Sequence, residues 1–172
     1  MANFIEIDYS GLQGIAEAFR QAPEIAREEL ATAMGLADEV LTAQVSKYAS
    51  RDSGFGASGV LSSSITHIEE VSETGVIGMV FSPQNYVEAV EIGTRPHWPP
   101  IEPLVDWVKV KFGLPEKDAR SMAHAVAWKI SRVGTEGKFM FRRGLEKQQA
   151  EVQRIFEAAV ARIAARLGGR AP

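Results

Sequence analysis

The sequence predicts an α+β fold: a small, mainly antiparallel sheet packed against long N- and C-terminal helices. Apolar residues recur every three or four positions over about 24–48 and again over about 143–167, the period of an amphipathic helix. Between these stretches, 65–71 (ITHIEEV) and 75–81 (GVIGMVF) are short apolar runs joined by the turn residues Ser72-Glu73-Thr74-Gly75, a hairpin pattern. A chain of 172 residues supports one good-sized core, and no linker composition divides it, so a single domain over 1–172 is expected.

The elements follow in order. Residues 3–7 (NFIEI) alternate apolar and polar, as in a short strand. Asp8 or Ser10 is placed to cap a turn of helix in which Leu12, Ile15, Ala16 and Phe19 share a face. Pro23 suits the first turn of the next helix, whose stripe is Leu30, Met34, Ala37, Leu41, Val45 and Tyr48. Residues 51–64 (RDSGFGASGVLSSS) are rich in serine and glycine and keep no period, so a flexible arm is expected there, with Phe55 as a docking residue. In the hairpin, the second strand is apolar at nearly every position, which predicts a central strand covered on both faces or half-covered by an assembly partner.

The stretch from Tyr86 to Trp107 organises the rest. Val87, Val90 and Glu91 have turn spacing, the pattern breaks at Gly93-Thr94, and a helix resumes near Ile101 with Val105, Trp107 and Val108. Between them Pro96, Pro99 and Pro100 fix φ and press Arg95 and Trp98 towards extended backbone. A stiff loop that offers Arg95, His97 and Trp98 suits a contact surface, because binding orders little that is not already ordered. Gly113 then ends the helix, and Pro115, Glu116 and Asp118 open the next one, where Met122, Ala125, Val126, Trp128 and Ile130 predict a broad apolar surface. Thr135–Lys138 reads as a turn and Phe139-Met140-Phe141 as an apolar patch. The last helix carries Leu145, Val152, Ile155, Phe156, Ala159, Val160, Ile163 and Leu167 along one stripe and ends at Gly168-Gly169.

Chemistry-bearing patterns are few. There is no cysteine, which excludes disulfides, thiolate catalysis and cysteine-bound metal. His67, His97 and His124 fall on a strand, a loop and a helix without metal-ligand spacing, and neither GxSxG nor GxGxxG occurs. The acidic pairs Glu69-Glu70 and Glu88/Glu91 would titrate anomalously if buried together, but exposed carboxylates on a hairpin or helix are the usual case and the expectation here. No enzyme, cofactor or metal is therefore expected. No apolar run approaches the roughly 20 residues that span a bilayer, and MANFIEID lacks the basic start of a secretion signal.

Charge is divided along the chain. Residues 1–108 hold 16 acids and 5 bases, and residues 109–172 hold 6 acids and 14 bases, for a net charge of -3. Three readings fit: nucleic acid, an intramolecular match, or self-assembly in which the acidic part of one subunit meets the basic part of the next. Lys138, Arg142, Arg143, Lys147 and Arg154, interleaved with Phe139 and Phe141, are the residues a DNA-binding reading would use.

The order of features from about 84 to 165 resembles the tail-component family of long-tailed double-stranded DNA phages, the group related to lambda-like minor tail protein Z. The likeness is carried by Glu91, Gly93 and Thr94, by Pro99-Pro100 and Trp107, and by Ile130, Gly134, Gly137, Phe139 and Met140. The resemblance implies a structural protein of the neck, a tail-completion or head-tail joining subunit that forms a homo-oligomeric ring, expected to be sixfold, around the DNA channel. Implied partners are neighbouring adaptor or stopper proteins, tail terminator or tail tube proteins, and passing double-stranded DNA without sequence recognition. The implied location is the virion, with assembly in the host bacterial cytoplasm. On this reading Phe55, Glu91, Gly93, Thr94, Arg95, His97, Trp98, Arg142 and Arg143 are the candidate interface residues, Glu91 by pairing with a neighbour's basic helix.

Overall fold

The first long stripe becomes helix α1 (Pro23–Ala49), and the second becomes helix α6 (Met140–Arg166). Between them lie α2 (Val60–Ser64), the strands β2 (Thr66–Val71) and β3 (Val76–Phe81), α3 (Val87–Ile92), β4 (Gly93–Thr94), α4 (Ile101–Phe112), α5 (Glu116–Val133) and β5 (Thr135–Glu136), with β1 (Ile5–Glu6) ahead of all. The fold is α+β, with a three-stranded antiparallel sheet in the order β1-β3-β2 and a two-stranded pair β4-β5. This computed structural model describes residues 5–6, 23–50, 59–72 and 75–167. The expected helix over 8–19, the candidate Phe55 and the Gly168-Gly169 stop lie outside them.

The chain forms two compact units that are interleaved in sequence. The first takes residues up to Gln44, Thr66–Phe81 and the chain from Arg142 on; the second takes Val45–Ile65 and Ser82–Phe141. The chain crosses between them four times, so no single linker separates them.

In the first unit, α1 covers one face of the sheet. Leu30, Met34, Ala37 and Leu41 are buried there, as are Val80 of β3 and Val152, Phe156, Ala159 and Ile163 of α6. Each larger side chain in this set contributes about 1.5–3 kcal/mol by leaving water. Strand β3 is central, as its apolar run predicts, but only Gly78 and Val80 are buried, while Ile77 on the opposite face is 42% exposed. The hairpin pairs Val71 with Val76 and runs in register to Thr66 with Phe81. Close approach of helix and sheet depends on Gly78, where any Cβ would collide with the Asp38 carboxylate and lie 2.6 Å from Met34 Sδ. The basic face of α6 turns towards acids of α1: Arg162 Nε donates to Glu29 (2.7 Å) and Arg166 to Glu28 (2.9 Å) and Glu29 (3.0 Å). Part of the charge division is thus matched inside the chain.

In the second unit α4 and α5 pack as a pair. Buried Val105 and Val108 meet buried Ala119 and Ala123, with Ile101, Leu104, Trp107 and Leu114 packed around them. The side of α5 that meets α4 is thus not the expected broad apolar surface. The buried stripe is Ala119, Ala123 and Ala127, whereas Met122, Ala125 and Trp128 are exposed, because small side chains let two helices approach closely. Gly113 closes α4 with its N–H on the Lys109 carbonyl. The expected arm is also shorter than 51–64, since Val60–Ser64 is helical. Its serines are not solvated spacers: Ser63 and Ser64 donate to the carbonyls of Val60 and Leu61, and Ser62 donates to that of Ser46. Buried Leu61 anchors the turn.

Candidate functional site

The residues that carry the family resemblance converge in the second unit. Gly93 and Thr94, at the end of α3, pair antiparallel with Glu136 and Thr135, and the two threonine hydroxyls lie 3.0 Å apart. The segment 135–136, expected as a turn, is therefore a strand. The pairing is local in space but 41 residues apart in sequence, and no alternation announces it. Glycine is required at both ends. Gly93 (φ 81, ψ -177) and Gly134 (φ 71, ψ -156) occupy backbone that is essentially glycine-only, and a Cβ on either would collide with the backbone carbonyl of Thr135 or Thr94.

Behind this pair the chain locks the start of α6. The N–H groups of Lys138 and Phe139 donate to the carbonyls of Val90 and Glu91, at 2.8 and 2.9 Å. Glu91 itself is buried, and its Oε2 accepts the Phe141 N–H at 3.0 Å. A helix leaves its first N–H groups without intrahelical partners, and a carboxylate there satisfies one of them and opposes the helix dipole. Met140 and Phe141 are fully buried beside it, and Phe139, with φ 50, turns the chain into the helix. Glu91 is thus a helix-capping residue facing inward. Its burial corrects the expectation of an exposed carboxylate at this position.

The remaining candidates are displayed rather than locked. Arg95, His97 and Trp98 are exposed on the loop between β4 and α4, with Trp98 57% exposed, while Pro99 is buried and anchors the loop. His97 Nδ1 donates to the Arg95 carbonyl at 2.9 Å. Arg142 and Arg143 are exposed on the first turn of α6, and Arg142 pairs with Glu146 at 3.0 Å. They belong to the first unit, the others to the second.

Two features escaped the sequence reading. Asp38, on α1, is fully buried with neither carboxylate oxygen hydrogen-bonded among the described residues. Burial pushes its pKa up to about 6; the nearby His67 charge opposes this shift and Glu69 adds to it. An acid inside an amphipathic pattern reads as solvated, so nothing local flagged it. The second feature is the stacking of Arg132 at 4.2 Å from the Trp128 ring centroid on the outer face of α5. Among the described residues no group of three or more acidic or histidine side chains is arranged to hold a metal ion, and no helix is long and apolar enough to cross a membrane. Comparison with models of protein families, with curated proteins and with solved structures finds no match for this chain.

Proposed function

We propose that this chain is a non-enzymatic structural protein of a phage neck, a tail-completion or head-tail joining subunit that assembles into a homo-oligomeric ring around the DNA channel. One observation carries the reading. Of the residues that carry the resemblance, Glu91, Gly93, Thr94, Gly134, Gly137 and Phe139 meet in one interlocked clasp, in which Gly93, Gly134 and Glu91 each have a distinct mechanical role, while Trp107 packs in the neighbouring helix pair. The clasp also holds up a proline-stiffened loop that presents Arg95, His97 and Trp98, a geometry suited to contact with a neighbouring protein.

Binding of DNA through the basic C-terminal third is the second reading, and it has less support. Arg142, Arg154, Arg162 and Arg166 already pair with Glu146, Glu151, Glu29 and Glu28/Glu29 respectively, so much of the basic surface is neutralised within the chain. Negative-stain microscopy and mass photometry of the purified chain test the choice. Closed rings with an open centre are expected. A protein that stays monomeric at all concentrations yet binds duplex DNA with steep salt dependence contradicts the ring and favours the second reading.

A further inference from the structure

We propose that the outer face of α5 in one copy of this chain docks on the open face of the three-stranded sheet in the next copy, an inference that rests on the ring-forming reading above. Successive helical residues advance by about 100°, so Met122, Ala125, Trp128, Lys129, Arg132 and Val133 fall away from the alanine stripe that meets α4. Three of them are large and apolar, with Met122 37%, Trp128 55% and Val133 66% exposed. Lys129 and Arg132 lie among them, and neither has an acidic partner among the described residues. The stacking of Arg132 on Trp128 holds its charge over the exposed ring. An apolar patch with a cationic rim marks a contact surface for an acidic, apolar partner.

The sheet supplies such a surface. Alternation along paired strands puts Thr66, Ile68 and Glu70 on one face with their partners Phe81, Met79 and Ile77. The opposite face, with His67, Glu69 and Gly78, is the one α1 covers: Thr42 Oγ1 lies 3.1 Å from His67 Nδ1, and Gly78 abuts Asp38. The open face leaves Ile68 47% and Ile77 42% exposed, and Glu70 has no basic partner among the described residues. Charge selects the occupant. The unit carrying the sheet holds 14 acids and 9 bases, net -5; the unit carrying α5 holds 8 acids and 10 bases, net +2. Two α5 faces repel each other, as do two sheet faces, whereas each suits the other. A contact between different surfaces of identical chains propagates head to tail and closes into a ring where the rotation allows.

A charge exchange between copies tests this contact. One variant carries Lys129→Glu and Arg132→Glu, and the other carries Thr66→Lys and Glu70→Lys. Each alone has like charges at every junction, and its association, read by mass photometry, is expected to weaken by at least about tenfold. An equimolar mixture restores wild-type assembly, because every junction between unlike variants again joins opposite charges. A chain bearing all four substitutions restores it too, which also shows that the substitutions leave the fold intact. The proposal is overturned if the wild-type chain does not associate, if either variant assembles as the wild type does, or if the mixture stays apart. Failure here with intact wild-type rings leaves the neck reading standing. A wild-type phenotype in phage lacking the chain sinks the neck reading without touching this contact.

Discussion

Glu91 and Asp38 are both removed from solvent, one in each compact unit, and the two units handle the cost differently. Glu91 receives the Phe141 N–H and closes the start of α6, so its burial is compensated by a charge-assisted hydrogen bond. Asp38 is wedged between α1 and Gly78 with no hydrogen bond to either oxygen among the described residues, and its neighbours on β2 are His67 and Glu69. The clasp is tight because backbone meets backbone across glycines. The helix-sheet seam keeps an unrelieved polar cost that depends on a proton. The clasp is the rigid part that holds up the loop of Arg95, His97 and Trp98; the seam is where pH and mutation are expected to act without touching the clasp.

The comparison can be broken most severely at the clasp. Gly134→Ala forces a side chain into glycine-only backbone and against the Thr94 carbonyl, and a loss on the order of 3–5 kcal/mol is expected in urea unfolding. Glu91→Ala removes the buried carboxylate that accepts the Phe141 N–H at the start of α6. The expected loss is about 2–3 kcal/mol, with partial recovery in Glu91→Gln, which keeps an acceptor.

Asp38→Asn sharpens the other side. An unfolded aspartate ionises near 3.8 and Asp38 near 6, so between those values the folded chain holds a proton that the unfolded chain has lost. The stabilisation is full below 3.8, falls as pH rises through that window, and is gone above about 6. Asp38→Asn removes this dependence and is expected to gain about 1–2 kcal/mol at pH 7, with the difference from wild type vanishing near pH 4, as read from urea midpoints across pH. The smallest effect belongs to Arg166→Ala. Its partners Glu28 and Glu29 form a surface network on the same unit, so the change in thermal midpoint should be slight and should disappear in high salt.

These contrasts also explain what was legible in the sequence. The long helices could be read because Leu30, Met34, Ala37 and Leu41, and later Val152, Phe156, Ala159 and Ile163, keep one helical stripe and one buried face. The hairpin could be read because its strands adjoin a local turn. Asp38 could not, since its neighbour Gly78 arrives from a strand 40 positions away and only that approach seals it from water. The β4-β5 pair has two residues on each side, too few for any period, and only the strained glycines hint at it. On α5 size misled: the large residues face outward and the alanines form the contact, an inversion that only a close helical neighbour explains. The loop residues Arg95, His97 and Trp98 were legible as exposed because prolines leave them few alternatives.

The most direct measurement of the central claim is electron microscopy of particles from a phage lysate that lacks this chain. Full capsids beside separate, complete tails are predicted, as expected when a joining subunit of the neck is missing. Joined particles of normal appearance would contradict a role at that junction and turn attention to DNA and the basic C-terminal helix.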